Sequence, residues 1–254
     1  MSNSPLVTYT RLSPNRTSPR NHAIDRITIH CYVGQVTAER GCSGSRFVNY
    51  DPMGGASCNY VVGYDGSIGL CVPEEDRSWC SSSPDNDHRA VTIETASDSF
   101  APYAVTEAAY QALLDLVTDI CQRNGKRRLI WMDNKTAALA YVPEDGDMVM
   151  TVHRWFANKA CPGEYLLERH GEIAEEVTRR LQEEDEDMSY EQFKAYMDRY
   201  RAELGQQKAS SWAVPYIAQA IDEGLMADVG GTIDRPRDFV TREELATVAA
   251  ALSK

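Results

Sequence analysis

The sequence predicts an α/β fold, with a mixed central β-sheet flanked by helices and a small all-α module at the C-terminus. Short apolar or β-branched segments that read as strands alternate with two long segments whose apolar residues recur at helical spacing. Beyond a run of five acidic residues at 183–187, only helical patterns remain. The acidic run is expected to be a solvated boundary between a domain at residues 1–182 and a smaller one at 188–254.

The first half of the chain carries most of the predicted strands. Residues 1–24, rich in Ser, Pro, Asn and Arg, read as an extended arm that leads into the first strand. Asp65-Gly66 indicates a two-residue hairpin turn, and the polar residues 41–55 and 76–88 are predicted to be loops. The strands themselves are expected at residues 27–33, 60–64, 67–72 and 90–95.

The next stretch contains the first long helix. Apolar residues recur at helical spacing through 106–124, where Thr106 is suited to cap the start and Gly125 to end the helix. Two further strands are expected at 129–132 and 149–152. The periodicity therefore switches from helix back to strand before the last third of the chain.

The remaining elements are all helical. Residues 165–181 form an amphipathic pattern, within which His170 is predicted to be a solvated side chain. Another helix is expected at 190–204, a further one ends at Gly224, and Thr241 is suited to cap a final helix. The C-terminal module thus contains no predicted strand.

Composition excludes several classes of partner. A net charge of -12 argues against nucleic acid, because a phosphate-binding surface is normally basic. No apolar run is long enough to span a bilayer, and the N-terminus lacks the apolar core of a signal peptide. The seven cysteines have no C-x-x-C pair, so we expect reduced thiols.

Potential metal ligands concentrate in residues 153–163, which read HRWFANKACPG. The loop begins at the end of a predicted strand and can fold back so that His153 and Cys161 meet, and both are preferred zinc ligands. His30, at the end of the run Ile27-Thr28-Ile29, is the expected third ligand. Two histidines and one cysteine leave the fourth zinc position open, which is typical of a catalytic site.

Three segments also carry a family resemblance. They are ITIH at 27–30, CNYVVGYDG at 58–66, and the loop that holds His153, Lys159 and Cys161. Together they resemble the type 2 N-acetylmuramoyl-L-alanine amidases, which include T7-type phage lysozymes and peptidoglycan recognition proteins. The resemblance covers about residues 20–182, and its most specific part is the loop. It implies a zinc amidase that hydrolyses the bond between N-acetylmuramic acid and L-alanine in peptidoglycan.

The resemblance also implies roles for residues around the zinc. Glu94 corresponds to a glutamate of several bacterial members and would be the general base, while Lys159 would stabilise the oxyanion. The T7-type members use a tyrosine at the position that Cys58 occupies here. Tyr60 is expected to share a face with Cys58 and to replace that tyrosine, which makes both residues candidate substrate contacts.

The lack of an export signal and the small C-terminal module suit a phage or prophage endolysin. Such a protein is made in the host cytoplasm and acts on the cell wall after release. The module resembles one surface-layer-homology repeat, with WA at 212–213, GL at 224–225 and TREE at 241–244. We expect it to bind the cell wall or to form a homodimer.

Two alternative functions stay open. Cys161 could be the nucleophile of a Cys/His hydrolase, but that mechanism leaves His30 unexplained. A non-catalytic peptidoglycan-binding protein is the second alternative. Binding-only members of the family usually lack a zinc ligand, and all three expected ligands are present in this sequence.

Overall fold

The structure is a computed structural model that describes residues 2–184, 190–226, 236–237, 245–246 and 248–250. The chain divides into two units, residues 1–186 and residues 187–254. Within the described residues, no helix combines the length and the apolar character needed to cross a membrane.

A seven-stranded mixed sheet forms the centre of the first unit. The described strands of this unit, including two that lie outside the large sheet, are β1 (Tyr9–Thr10), β2 (Arg16–Thr17), β3 (Arg26–Cys31), β4 (Tyr60–Val62), β5 (Ile68–Leu70), β6 (Arg77–Ser78), β7 (Ala90–Thr95), β8 (Arg128–Ile130) and β9 (Asp147–Thr151). Their order in the sheet is β1-β5-β4-β7-β3-β9-β8, and β2 pairs with β6 in a separate ribbon. The β4–β5 hairpin is antiparallel and the other neighbours in the large sheet are parallel. Gly66 completes the hairpin turn with a φ of 82°, a conformation that glycine adopts without strain.

Helices cover both faces of this sheet, which confirms the predicted fold class. They are α1 (Ala38–Cys42), α2 (Ser45–Val48), α3 (Pro84–Asp87), α4 (Glu107–Arg123), α5 (Lys135–Ala140) and α6 (Glu164–Glu184), with a 3-10 turn at His153–Trp155. Thr106 caps α4 as predicted, because its hydroxyl accepts a hydrogen bond from the Ala109 backbone N–H at 3.1 Å.

The two faces of the sheet have separate apolar cores. On one face the strands pack against α4 and α6, and buried members of this core include Ile27, Ile29, Tyr60, Val62, Ile93, Leu113, Leu116, Leu166 and Ile173. A smaller cluster beside α1 and α2 consists of Cys42, Phe47, Cys58, Val61 and Cys71. Each fully buried large apolar side chain contributes about 1.5–3 kcal/mol.

This division contradicts the predicted roles of Tyr60 and Cys58. The two side chains are fully buried in different cores, so they do not share a face and do not reach a substrate. Asn59, between them, lies outside the regular strand, and its carbonyl accepts hydrogen bonds from two successive N–H groups, those of Cys71 and Val72. The side-chain alternation therefore does not extend from Tyr60 back to Cys58.

A buried ion pair fixes Tyr60 and the end of α4. Arg123 donates two hydrogen bonds to the Glu74 carboxylate, at 2.6 and 3.1 Å, and Glu74 is fully buried. The Tyr60 hydroxyl donates to the same carboxylate at 2.6 Å and accepts from the Ser4 backbone N–H at 2.9 Å. Tyr60 is thus a structural residue that joins the sheet, α4 and the N-terminal arm.

The second unit contains α7 (Tyr190–Gly205) and α8 (Val214–Asp222), in agreement with the first two of the three helices predicted there. Gly224 follows α8 with a φ of 70°. Large side chains such as Trp212 and Tyr216 are exposed. Of the acidic boundary, residues 183–184 belong to α6, while 185–187 lie outside the described residues, as do Thr241 and the rest of the TREE segment.

Candidate metal centre and active-site cleft

The candidate site lies where three parallel strands end. In β3 and β7, His30 pairs in register with Glu94. Strand β9, on the other side of β3, ends two residues before His153. Because parallel strands place their carboxyl ends at the same edge of a sheet, these three residues meet there. The sequence positions 30, 94 and 153 become neighbours only through this strand order.

Buried polar contacts fix the strands beneath the site. The Thr28 and Thr151 hydroxyls are 2.7 Å apart and join β3 to β9. The Asn86 side chain donates to Thr28 Oγ1 at 2.9 Å and accepts from Thr151 Oγ1 at 3.1 Å. Asn86 thereby connects α3 to both strands, and its contact in β3 is two residues before His30.

The three predicted metal ligands come together. Ligand atoms of His30, His153 and Cys161 all lie within 4.8 Å of one another. His30 Nδ1 is 3.3 Å from Cys161 Sγ, and the two imidazole rings have centroids 5.1 Å apart. A tetrahedral zinc ion with nitrogen at about 2.0 Å and sulfur at about 2.3 Å separates those two ligands by about 3.5 Å. The observed pair is therefore close to the separation that zinc requires.

The loop that delivers Cys161 is closed by Arg154. The Arg154 side chain donates to the Ala160 carbonyl and forms an ion pair with Glu164 at 3.1 Å. Its backbone N–H donates to the Cys161 carbonyl at 3.2 Å. After the loop, Gly163 has a φ of 83°, and a β-carbon there would lie 2.8 Å from Tyr103 Cβ. Glycine is therefore required where the loop turns into α6.

Electrostatics at the site favour neutral histidines. Burial, and secondarily the charge of His153, lowers the pKa of His30 to about 3. Burial and then the Lys159 cation lower the pKa of His153. A hydrogen bond to Cys31, followed by burial, raises the pKa of the Cys161 thiol. Neutral imidazole is the form that binds metals.

One candidate ligand, His153, borders an open cleft of about 900 Å³. Lys159 is exposed and lines this cleft together with His153 and Glu94. The cleft is also lined by Tyr32, Arg46, Phe47, Met53, Arg77, Trp79, Cys80 and Ser82. All the residues predicted to act in catalysis therefore have access to one space.

Glu94 is held in a poorly solvated position. Burial, and secondarily the charge of Cys31, raises the pKa of Glu94 to about 8. Its Oε1 is 3.9 Å from Cys80 Sγ, and its Oε2 is buried without a hydrogen-bond partner among the described residues. A raised carboxyl pKa in a cleft is typical of a functional acid or base.

Several residues of the site were not predicted from the sequence. Ser82 Oγ is 3.0 Å from His153 Nε2, the Cys31 and Cys161 thiols hydrogen-bond to one another, and Cys80 contacts Glu94. Cys80 and Ser82 belong to the polar loop 76–88, whose sequence carries no ligand spacing that distinguishes it from other loops.

His170 contradicts the predicted solvated position. The side chain is fully buried, and its Nδ1 lies 2.6 Å from the Leu166 carbonyl oxygen. The ring packs against Trp131 at 4.7 Å between centroids, and Trp131 in turn stacks on Trp155 at 5.2 Å. These rings connect α6 to the 3-10 turn that starts with His153.

Part of the chain is similar to proteins of one known family. A family model described as N-acetylmuramoyl-L-alanine amidase matches residues 20–164. No curated protein matches significantly. Similar solved structures include that of PlyL, which is 16% identical. The similarity covers 66% of this chain and 95% of the PlyL chain, with a TM-score of 0.43. A selenomethionine derivative of AmpD is 17% identical, and the similarity covers 68% of this chain and 99% of the AmpD chain with a TM-score of 0.46. The endolysin amidase LysCS from Clostridium intestinale has 16% identity, 68% and 98% coverage and a TM-score of 0.44.

Proposed function

The chain belongs to the N-acetylmuramoyl-L-alanine amidase family, and from that premise we propose that it is a zinc hydrolase of peptidoglycan. The bond cleaved is the amide between N-acetylmuramic acid and L-alanine. The observation that carries the proposal is the convergence of His30, His153 and Cys161, with His153 lining an open cleft.

The donor set of the site fits zinc. Two imidazoles and a thiol are borderline-soft ligands, and the spacing of His30 Nδ1 and Cys161 Sγ, 3.3 Å, is close to that of a tetrahedral ion. A zinc ion held by His30, His153 and Cys161 would polarise the substrate carbonyl and activate water. The Ser82 hydroxyl, 3.0 Å from His153 Nε2, would fix the orientation of that ring.

Two side chains would act on the substrate itself. Glu94, beside His30 in the sheet, would accept the proton of the attacking water and return it to the leaving amine of alanine. A cation bound nearby favours the ionised carboxylate and so opposes the effect of burial on Glu94. Lys159 would donate to the oxyanion that develops on the carbonyl, from its exposed position on the cleft wall.

The electrostatics disfavour the alternative Cys/His hydrolase. A nucleophilic thiolate paired with imidazolium needs a low thiol pKa and a protonated histidine. The Cys31 hydrogen bond raises the pKa of Cys161, whereas burial lowers the pKa of its neighbour His30 to about 3. Both shifts oppose the ion pair. Because the histidine beside Cys161 is His30, a nucleophile mechanism would leave His153, rather than His30, without a role.

We also propose an endolysin role and a separate task for the C-terminal unit. The protein would be made in the host cytoplasm and would act on the cell wall after release. The second unit, residues 187–254, would bind the wall as a single surface-layer-homology-like repeat or mediate homodimer formation. Exposed aromatic side chains such as Trp212 and Tyr216 give it a surface for such a contact.

Metal analysis combined with product analysis tests the proposal. The purified protein should retain zinc near one equivalent against a competing chelator, and His153→Ala and Cys161→Ala should not. Digestion of purified peptidoglycan should release new alanine amino groups without new reducing sugar ends. Full zinc retention by both variants would refute the metal site, and release of reducing ends alone would refute the amidase reaction.

A further inference from the structure

A second group of metal-binding side chains lies in the same cleft. Ligand atoms of His30, Cys80 and Glu94 are all within 4.8 Å of one another. Cys80 Sγ is 3.9 Å from Glu94 Oε1, and sulfur and oxygen ligands of a tetrahedral zinc ion are about 3.5 Å apart. A thiolate, a carboxylate and an imidazole form a donor set that suits Zn²⁺ or Co²⁺.

Two atoms of this group are buried without partners. One is Glu94 Oε2, which has no hydrogen-bond partner among the residues that the structure describes; the other, His30 Nε2, is the ring nitrogen that faces away from Cys161, so the shared ligand of the two groups is the His30 ring as a whole, which cannot turn toward both at once. A buried polar atom without a partner is destabilising, and such atoms often mark the place of an ion or a water molecule. Glu94 and Cys80 also line the open cleft, which gives an ion direct access to them.

We propose that Cys80, Glu94 and His30 form a second divalent-metal position that competes with the first one for the ion. The competition arises because His30 belongs to both groups. The second position is the weaker one for Zn²⁺ and Co²⁺, since it offers a carboxylate where the first group offers a second imidazole.

An ion in the second position has a consequence for catalysis. With its carboxylate coordinated, Glu94 cannot accept a proton, so this position is inhibitory. That consequence rests on the proposed function, in which Glu94 is the base. Metal binding itself does not depend on that function, and the test therefore measures binding rather than turnover.

The test uses Co²⁺ as the probe, because cobalt bound to a thiolate has a charge-transfer absorption that imidazole and carboxylate ligands lack. The full-length Cys161→Ala protein should retain this absorption, at higher Co²⁺ concentration than the wild type requires. The double variant Cys161→Ala/Cys80→Ala should lose it. The matched control is Cys161→Ala/Cys121→Ala, which should keep it, because Cys121 lies on α4 and is buried in the apolar core.

Cys161→Ser provides a second, more nearly isosteric background, and circular dichroism checks the fold of each variant. Loss of the absorption in folded Cys161→Ala or Cys161→Ser would overturn the proposal, as would its persistence after Cys80 is also replaced. These results would leave the first site intact. A wild-type protein that binds no Co²⁺ would instead overturn both this proposal and the zinc site of the proposed function.

Discussion

His170 should make the stability of the fold depend on pH between about 4 and 6.5. The ring is fully buried between α6 and Trp131, and burial lowers its pKa to about 4. The hydrogen bond to the Leu166 carbonyl and the charge of Asp133 oppose this shift, and the Arg154 cation adds to it. The folded protein therefore resists protonation of a group that titrates normally once unfolded.

The sign and size of the effect follow from proton binding. In the unfolded chain a histidine takes up its proton near pH 6.5, whereas in the folded protein His170 does so only near pH 4. The unfolded state thus binds more protons in this window, and stability falls as the pH falls. At pH 5, which is about 1.5 units below 6.5, the free energy of unfolding is lower by about 2 kcal/mol. The decrease levels off at about 3 kcal/mol at pH 4 and below.

Urea unfolding of the parent protein and of His170→Gln at pH 8, 6.5 and 5 measures this contribution. Any constant offset from repacking cancels, because the comparison is between pH values, and other titrating groups are common to both proteins. The difference in unfolding free energy should change by about 2 kcal/mol in favour of the variant between pH 8 and pH 5. His22→Gln, which replaces an exposed histidine, is the control. Equal pH slopes in the parent protein and His170→Gln would refute the reasoning.

Three further predictions concern catalysis, packing and the division of the chain. Glu94→Gln should bind zinc and fold normally but lose about 10² to 10⁴-fold in turnover, and near-normal turnover would mean that another group is the base. Arg123→Ala should destabilise the protein by about 3–5 kcal/mol in urea, because it leaves the buried Glu74 carboxylate with the Tyr60 hydroxyl but without its cationic partner. Arg179→Ala, at an exposed ion pair, should lower the free energy of unfolding by less than about 1 kcal/mol. Equal destabilisation by the two replacements would contradict the role given to the buried Arg123–Glu74 pair. A chain of residues 1–186 should cleave soluble muropeptides but bind whole walls or self-associate less than the full chain, and unchanged binding and oligomeric state would remove both proposed roles of the second unit.

The fold class and its longer elements could be read from the sequence, whereas α2, β6 and α3 lie within segments that were predicted to be loops. Strand β7 was predicted with its observed bounds, and α4 with its Thr106 cap, because local periodicity and capping are properties of neighbouring residues. The loop from His153 to Cys161 could also be recognised locally, since one segment supplies two ligand types at a spacing that allows them to meet. His30 could be added because it ends a buried strand.

The surroundings of these ligands depended on tertiary structure. Tyr60 and Cys58 were expected on one face, yet an irregular residue between them directs one to each core. His170 was expected in water because its helix is polar, but the position of Trp131 buries it. Burial is decided by what packs against a residue, which no spacing within a helix or strand specifies.

By itself, then, the sequence determined the sheet-and-helix architecture and the candidate ligands His30, His153 and Cys161. Only the tertiary structure decided that Cys80 and Ser82 join them, because both come from a polar loop whose path is set by α3 and its contacts with the sheet. The periodicity of apolar residues predicts which side chains face a core, because helices and strands bring side chains to one face at fixed intervals. Polar residues in a loop obey no such interval, and their neighbours appear only when strands distant in sequence align.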